Sequence, residues 1–138
     1  MSDAGRILVV DDDEAQLKLL RTVLEVDGWT VLPASSGEQA LDLLDRGEEV
    51  DVILSDFMME GMDGRALLAA AHERRPEVPV ILMTAYATVD SAVEALHAGA
   101  YHYLSKPIKL PELTIVVRRA RESTETQRQL AGLPRHGL

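Results

Sequence analysis

The chain has 138 residues, 46% of them hydrophobic and 27% charged, which suits one globular domain with a single core and leaves no room for two ordinary ones. With 14 basic against 23 acidic residues the formal net charge is −9, which argues against direct nucleic-acid binding by this segment. There are 0 cysteines, so neither a disulfide framework nor a thiolate metal site can form, and no apolar run approaches the ~20 residues of a membrane span.

The first segment, Met1-Ser2-Asp3-Ala4-Gly5-Arg6, lacks the apolar stretch of a signal peptide, and the expected location is the cytoplasm. Short β-rich apolar runs follow at about residues 6–10, 30–33, 51–55, 79–83 and 101–104, with segments of helical period between and after them. Behind the first run, a helix starts near Asp13 and buries Leu17, Leu20 and Leu24 before Gly28 ends it. The second starts at Ser35 or Ser36 and carries Ala40, Leu41 and Leu44. A third follows Gly64, places Leu67, Leu68 and Ala71 on one face and is bounded by Pro76. Thr88 caps a fourth, which has Val89, Ala92, Val93 and Leu96 at helical spacing and stops at Gly99. The fifth has Pro111 in its first turn and buries Leu113, Val116, Val117 and Ala120. From about Ser123 the chain turns polar, so residues 1–122 are expected to form the domain and 123–138 a tail or linker, with Gly132-Leu133-Pro134 ending ordered structure.

Five strand-helix units with near-continuous apolar strands predict a doubly wound five-stranded parallel sheet, helices on both faces, in the flavodoxin-like order 2-1-3-4-5. Its ligand crevice lies at the carboxyl ends of strands 1 and 3. Asp11, Asp12 and Asp13 follow the first strand and Asp56 the third, so several carboxylates meet there. Two like charges about 4 Å apart repel by roughly 4 kcal/mol at an effective dielectric of 20, a cost that a divalent cation relieves. Asp13 reads as a helix N-cap. Thr84 ends the fourth strand and Lys106 follows the fifth, so a hydroxyl and an ammonium join the rim. Hard oxygen ligands, one hydroxyl and one ammonium describe a phosphoryl site, with Mg²⁺ the best candidate metal and Mn²⁺ the substitute.

With these motifs in place, the chain resembles a response-regulator receiver domain of two-component signalling over roughly residues 5–122. The likeness rests on Asp11-Asp12, Leu54-Ser55-Asp56, Gly61-Met62-Asp63-Gly64, Thr84-Ala85 and Lys106-Pro107. It implies that Asp56 accepts a phosphoryl group from a sensor histidine kinase or phosphotransfer protein. The metal would be held by Asp11, Asp12, Asp56 and the backbone carbonyl of Met58. Thr84 and the Ala85 amide would bind phosphoryl oxygens, and Lys106 would supply charge from a cis Lys106-Pro107 peptide. Tyr103 would be the aromatic switch, Met58 and Tyr86 would tune hydrolysis, and the fourth helix, fifth strand and fifth helix would signal to an output domain, a downstream protein or a second copy. The implied chemistry is self-catalysed transfer and autodephosphorylation, without multiple turnover.

The run around Thr84-Ala85-Tyr86 and Gly99-Ala100-Tyr101-His102-Tyr103-Leu104 looks most like receivers of enhancer-binding transcription activators. One departure stands out: many receivers have proline four residues after the acceptor, and here the position is Glu60. A less rigid loop and an extra carboxylate are expected to alter metal affinity or phosphoryl lifetime. Three other readings share the features in part. A haloacid-dehalogenase-type phosphohydrolase would use Asp11-x-Asp13, but Ala15 stands where such enzymes have Thr or Val. A flavodoxin-like cofactor binder would need hydroxyls and amides where this loop is anionic, and an unphosphorylated interaction module would not need the full set of site residues.

Overall fold

The computed structural model describes residues 4–132; the expected terminator residues Leu133 and Pro134 lie outside them, as do residues 1–3. The strands are β1 (Gly5–Val10), β2 (Trp29–Ala34), β3 (Val52–Asp56), β4 (Val80–Thr84) and β5 (His102–Ser105). They alternate with α1 (Glu14–Val26), α2 (Gly37–Asp45), α3 (Gly64–Arg74), α4 (Val89–His97) and α5 (Leu110–Ala131). All strand pairs are parallel and the order is β2-β1-β3-β4-β5, as the alternation predicts.

Successive side chains on a strand point to opposite faces, and the core divides accordingly. Leu8, Val10, Ile53, Val80 and Leu82 pack with Ala40, Leu44, Leu67, Leu68 and Ala95 under α2, α3 and α4. Ile7, Val9, Val52, Leu54, Ile81 and Met83 pack with Leu20, Leu24, Leu113, Val117 and Ala120 under α1 and α5. Both faces are covered, which is why β3 and β4 are buried along their whole length.

Local chemistry sets the helix starts. Asp13 accepts from the Ala15 and Gln16 amides, and Ser36 from Gln39. Asp63 accepts from Ala66 to start α3, and Thr88 forms a reciprocal capping box with Ser91. Helix α4 is held differently from the others: only Ala95 is buried, while Val89, Val93 and Leu96 face outward. Its apolar spacing marks a stripe that nothing in the described chain covers.

The tail or linker expected from residue 123 is instead the last part of α5, which runs to Ala131 and ends on Gly132 at φ 70°. The buried stripe Leu113, Val117, Ala120 continues as Thr124 and Arg128, so its face stays packed while its chemistry turns polar. The Thr124 hydroxyl donates to the Asp51 carbonyl at 2.6 Å. The Arg128 guanidinium donates to Asp51 Oδ1 at 2.6 Å and to the Val50 carbonyl at 3.0 Å, and lies 3.6 Å from Glu77. Asp51 also accepts from the Arg6 amide, so one carboxylate ties β1, the start of β3 and the end of α5 together. Arg128→Met removes the guanidinium that pairs with Asp51 and Glu77, and urea denaturation is expected to show a loss of about 3 kcal/mol. Substituting exposed Gln127 by Ala should change stability by no more than about 0.5 kcal/mol.

Candidate functional site

A parallel sheet brings every strand's carboxyl end to one edge, and four of those ends carry polar groups. Asp11 directly follows β1 and its amide extends the ladder to the Ala34 carbonyl. Asp56 closes β3, paired in register with Met83, one residue before Thr84 closes β4. Lys106 follows β5, and its amide donates to the Thr84 carbonyl at 2.8 Å. The Lys106–Pro107 peptide is cis.

The carboxylates of Asp11, Asp12 and Asp56 each offer an oxygen within 4.8 Å of the others. The Lys106 ammonium lies 3.4 Å from Asp56 and 3.6 Å from Asp11, so three negative charges face one positive charge. Asp11 is fully buried; its Oδ1 accepts from the Asp13 amide at 2.9 Å, while Oδ2 is buried without a hydrogen bond. Burial pushes the Asp11 carboxyl above the usual carboxylate range and the charges of Asp56 and Asp12 push the same way; the Asp13 amide and Lys106 oppose them. A buried carboxylate oxygen with no donor, beside two more carboxylates, fits the requirements of a hard divalent cation.

The remaining predicted residues take distinct places. Thr84 is buried, and its hydroxyl oxygen accepts from the Tyr86 amide at 3.1 Å. Ala85 and Pro107 are exposed, and the side chains of Met58 and Tyr86 are exposed as well, so neither of the two blocks the crevice by burial. Tyr103 stands one strand away, half-buried, with its ring edge-on to Phe57 at 6.2 Å and its hydroxyl donating to Ser91 Oγ at 3.1 Å. It touches the start of α4 rather than the carboxylates.

Two contacts were outside the reach of the sequence reading. Gly64, the first residue of α3, lies so close to the end of β3 that a Cβ there would come 2.6 Å from the Asp56 carbonyl oxygen and 2.8 Å from Phe57 Cα. A glycine in the first turn of a helix, where propensity disfavours it, is the sequence signal for such an approach. The second is the Glu60 amide, which donates to Asp12 Oδ2 at 3.2 Å.

A family model described as the response regulator receiver domain matches residues 7–118. Regulatory protein AtoC of Escherichia coli K12 is 38% identical over 133 residues, covering 96% of this chain and 29% of AtoC. DNA-binding transcriptional regulator NtrC of the same strain is 40% identical over 125 residues, covering 91% of this chain and 26% of NtrC. The chain therefore spans little more than a quarter of these relatives' length. Among solved structures, the signal receiver domain of an HD domain-containing protein from Pseudomonas fluorescens Pf-5 superposes with a TM-score of 0.84 at 34% identity, covering 94% of this chain and 95% of that one. The likeness to receivers of enhancer-binding activators, expected from the sequence, is borne out by the relatives.

Because the Asp11 carboxyl is raised, folding favours its protonated form, and the metal-free domain loses stability as pH rises from the ordinary Asp range through the raised value. Asp11→Asn removes that penalty. In EDTA at neutral pH the variant is expected to melt above wild type, with the gap closing in acid, whereas millimolar Mg²⁺ should raise the melting temperature of wild type only.

Proposed function

The chain belongs to the response-regulator receiver family, and from that premise we propose that Asp56 accepts a phosphoryl group from a sensor histidine kinase or phosphotransfer protein. The observation that carries this reading is the convergence of Asp11, Asp12 and Asp56 within 4.8 Å, with the Lys106 ammonium at 3.4 Å from Asp56.

In the proposed reaction an Asp56 oxygen attacks phosphorus as the bond to the donor histidine nitrogen breaks, and the nitrogen leaves with the electron pair. Anion approaches anion, so charge cancellation decides the rate. Asp11, Asp12 and Asp56, with the Met58 carbonyl, would hold Mg²⁺ or Mn²⁺, which when bound supplies positive charge to the phosphoryl oxygens and orients them. Lys106 neutralises charge between Asp56 and the incoming group. Thr84 donates its hydroxyl proton to a phosphoryl oxygen, and the Ala85 amide donates to another. The reaction is self-catalysed transfer followed by autodephosphorylation, with one acceptor per chain and no multiple turnover on small esters. Exposed Met58 and Tyr86 flank the acceptor and tune water access to the acyl phosphate.

Signalling would leave through α4, β5 and α5. Support comes from the outward stripe Val89, Val93 and Leu96 on α4 and from exposed Tyr101 before β5 and Ile115 on α5, apolar surface available to an output domain, a downstream protein or a second copy. Tyr103 links this face to the site, because it lies beside Thr84's strand and bonds α4 through Ser91. A process under transcriptional control is the output that the relatives' names support.

Incubation with Mg²⁺ and acetyl phosphate, followed by intact mass measurement, should add one phosphoryl group to wild type and none to Asp56→Asn. Equal labelling of both would refute the assignment. Lys106→Ala should slow labelling by about 100-fold or more while melting within a few degrees of wild type, as followed by circular dichroism. Sedimentation of the phosphorylated sample should show a dimer that Val93→Asp abolishes.

A further inference from the structure

The three carboxylates of the site are not equally constrained. Asp11 is buried, bonded to the Asp13 amide and within 3.6 Å of Lys106. Asp56 closes a buried strand and lies 3.4 Å from the same ammonium. Asp12 is exposed and sits in the loop between β1 and α1, while the Lys106 ammonium is paired with Asp11 and Asp56. A side chain so placed is free to rotate into solvent unless something holds it. Among the described residues, the hydrogen bond its carboxylate receives comes from the backbone N–H of Glu60, 48 residues away in the loop between β3 and α3.

We propose, on the reading of these carboxylates as the metal ligands, that the backbone N–H of Glu60 is the positioning group for Asp12. The amide takes one lone pair of Oδ2 and fixes the carboxylate's orientation, and the rest of the carboxylate stays available to a cation. The bond also clamps the β1–α1 loop to the β3–α3 loop, so the two halves of the ligand set are pre-assembled across the crevice. Gly61, next in sequence at φ 74°, turns the chain immediately after this contact. The exposed Glu60 carboxylate is not the working part: the contact is made by the main chain, so any residue with an N–H will serve and proline will not. Donors that orient a metal ligand commonly govern affinity by 10-fold or more.

Mg²⁺ titration by calorimetry on the full chain tests this directly with Glu60→Ala, Glu60→Gln and Glu60→Pro. The first two keep the amide and should bind within about twofold of wild type, while Glu60→Pro should bind about tenfold more weakly. Melting in EDTA establishes that the proline variant is folded. A second comparison separates positioning of Asp12 from general loop stiffness: in an Asp12→Ala background, Glu60→Pro should bring no further loss of affinity. Equal affinity of the alanine and proline variants, or a full additional loss in the Asp12→Ala background, would overturn the proposal and leave the phosphoacceptor reading standing. Absence of Mg²⁺ binding by wild type would remove both.

Discussion

Repulsion among the three carboxylates at one sheet edge is the constraint around which the rest of the molecule is arranged. Asp11, Asp12 and Asp56 bring three negative charges to within 4.8 Å, and Lys106 returns one, for a formal balance of −3 + 1 = −2. No single strand could assemble such a set. It takes the central strands β1 and β3, whose carboxyl ends are adjacent where the winding reverses, together with β5 two strands further on. Buried apolar strands hold the charges together against their mutual repulsion. Gly64 lets α3 start against the Asp56 backbone, so Asp56 is backed by a helix terminus instead of solvent.

The two poles of the sheet hold their buried carboxylates differently. At the amino end, Asp51 gathers the Arg6 amide and the Arg128 guanidinium, and Arg128 reaches the Val50 carbonyl as well. That pole pairs its Asp51 carboxylate with a guanidinium, although Arg128 Nε itself is buried without a hydrogen bond. At the carboxyl end, Asp11 keeps a buried oxygen without a donor. Stability is sacrificed where a cation and a phosphoryl group would restore it, which is the pattern of a ligand-dependent site. Helix α4 extends the contrast. It gives the core only Ala95, and its position rests on polar contacts: Arg65 with Glu94, and the Tyr103 hydroxyl with Ser91 at its capped end. An element with so little burial is the one most easily displaced, and it is the one that adjoins the exposed apolar face.

Much of this was legible in the sequence because the signals were chemical and local. Five β-rich runs with helical segments between them fix a parallel sheet, and polar residues at run ends identify the crevice by themselves. Asp13, Ser36 and Thr88 announce helix starts through their own side chains. The end of α5 escapes the hydrophobic pattern for a physical reason: its buried stripe passes from Val117 and Ala120 to Thr124 and Arg128, and such a pattern cannot register a face that is buried by hydrogen bonding. In α4 the apolar period was real, but period reports a face and not whether the chain covers it. The Glu60 contact was invisible because a backbone amide looks the same at every position. What distinguishes residue 60 in the sequence is its side chain, yet the main chain makes the bond.

The central claim is that this edge is organised to carry a phosphoryl group on Asp56. A crystal structure of the domain with Mg²⁺ and beryllofluoride, a mimic of the acyl phosphate, tests it most directly. The account predicts the mimic bonded to an Asp56 oxygen, the metal held by Asp11, Asp12, Asp56 and the Met58 carbonyl, and Lys106 and Thr84 on the fluoride atoms. Beryllofluoride on another residue, or an Asp56 left bare with the metal bound elsewhere, would contradict it.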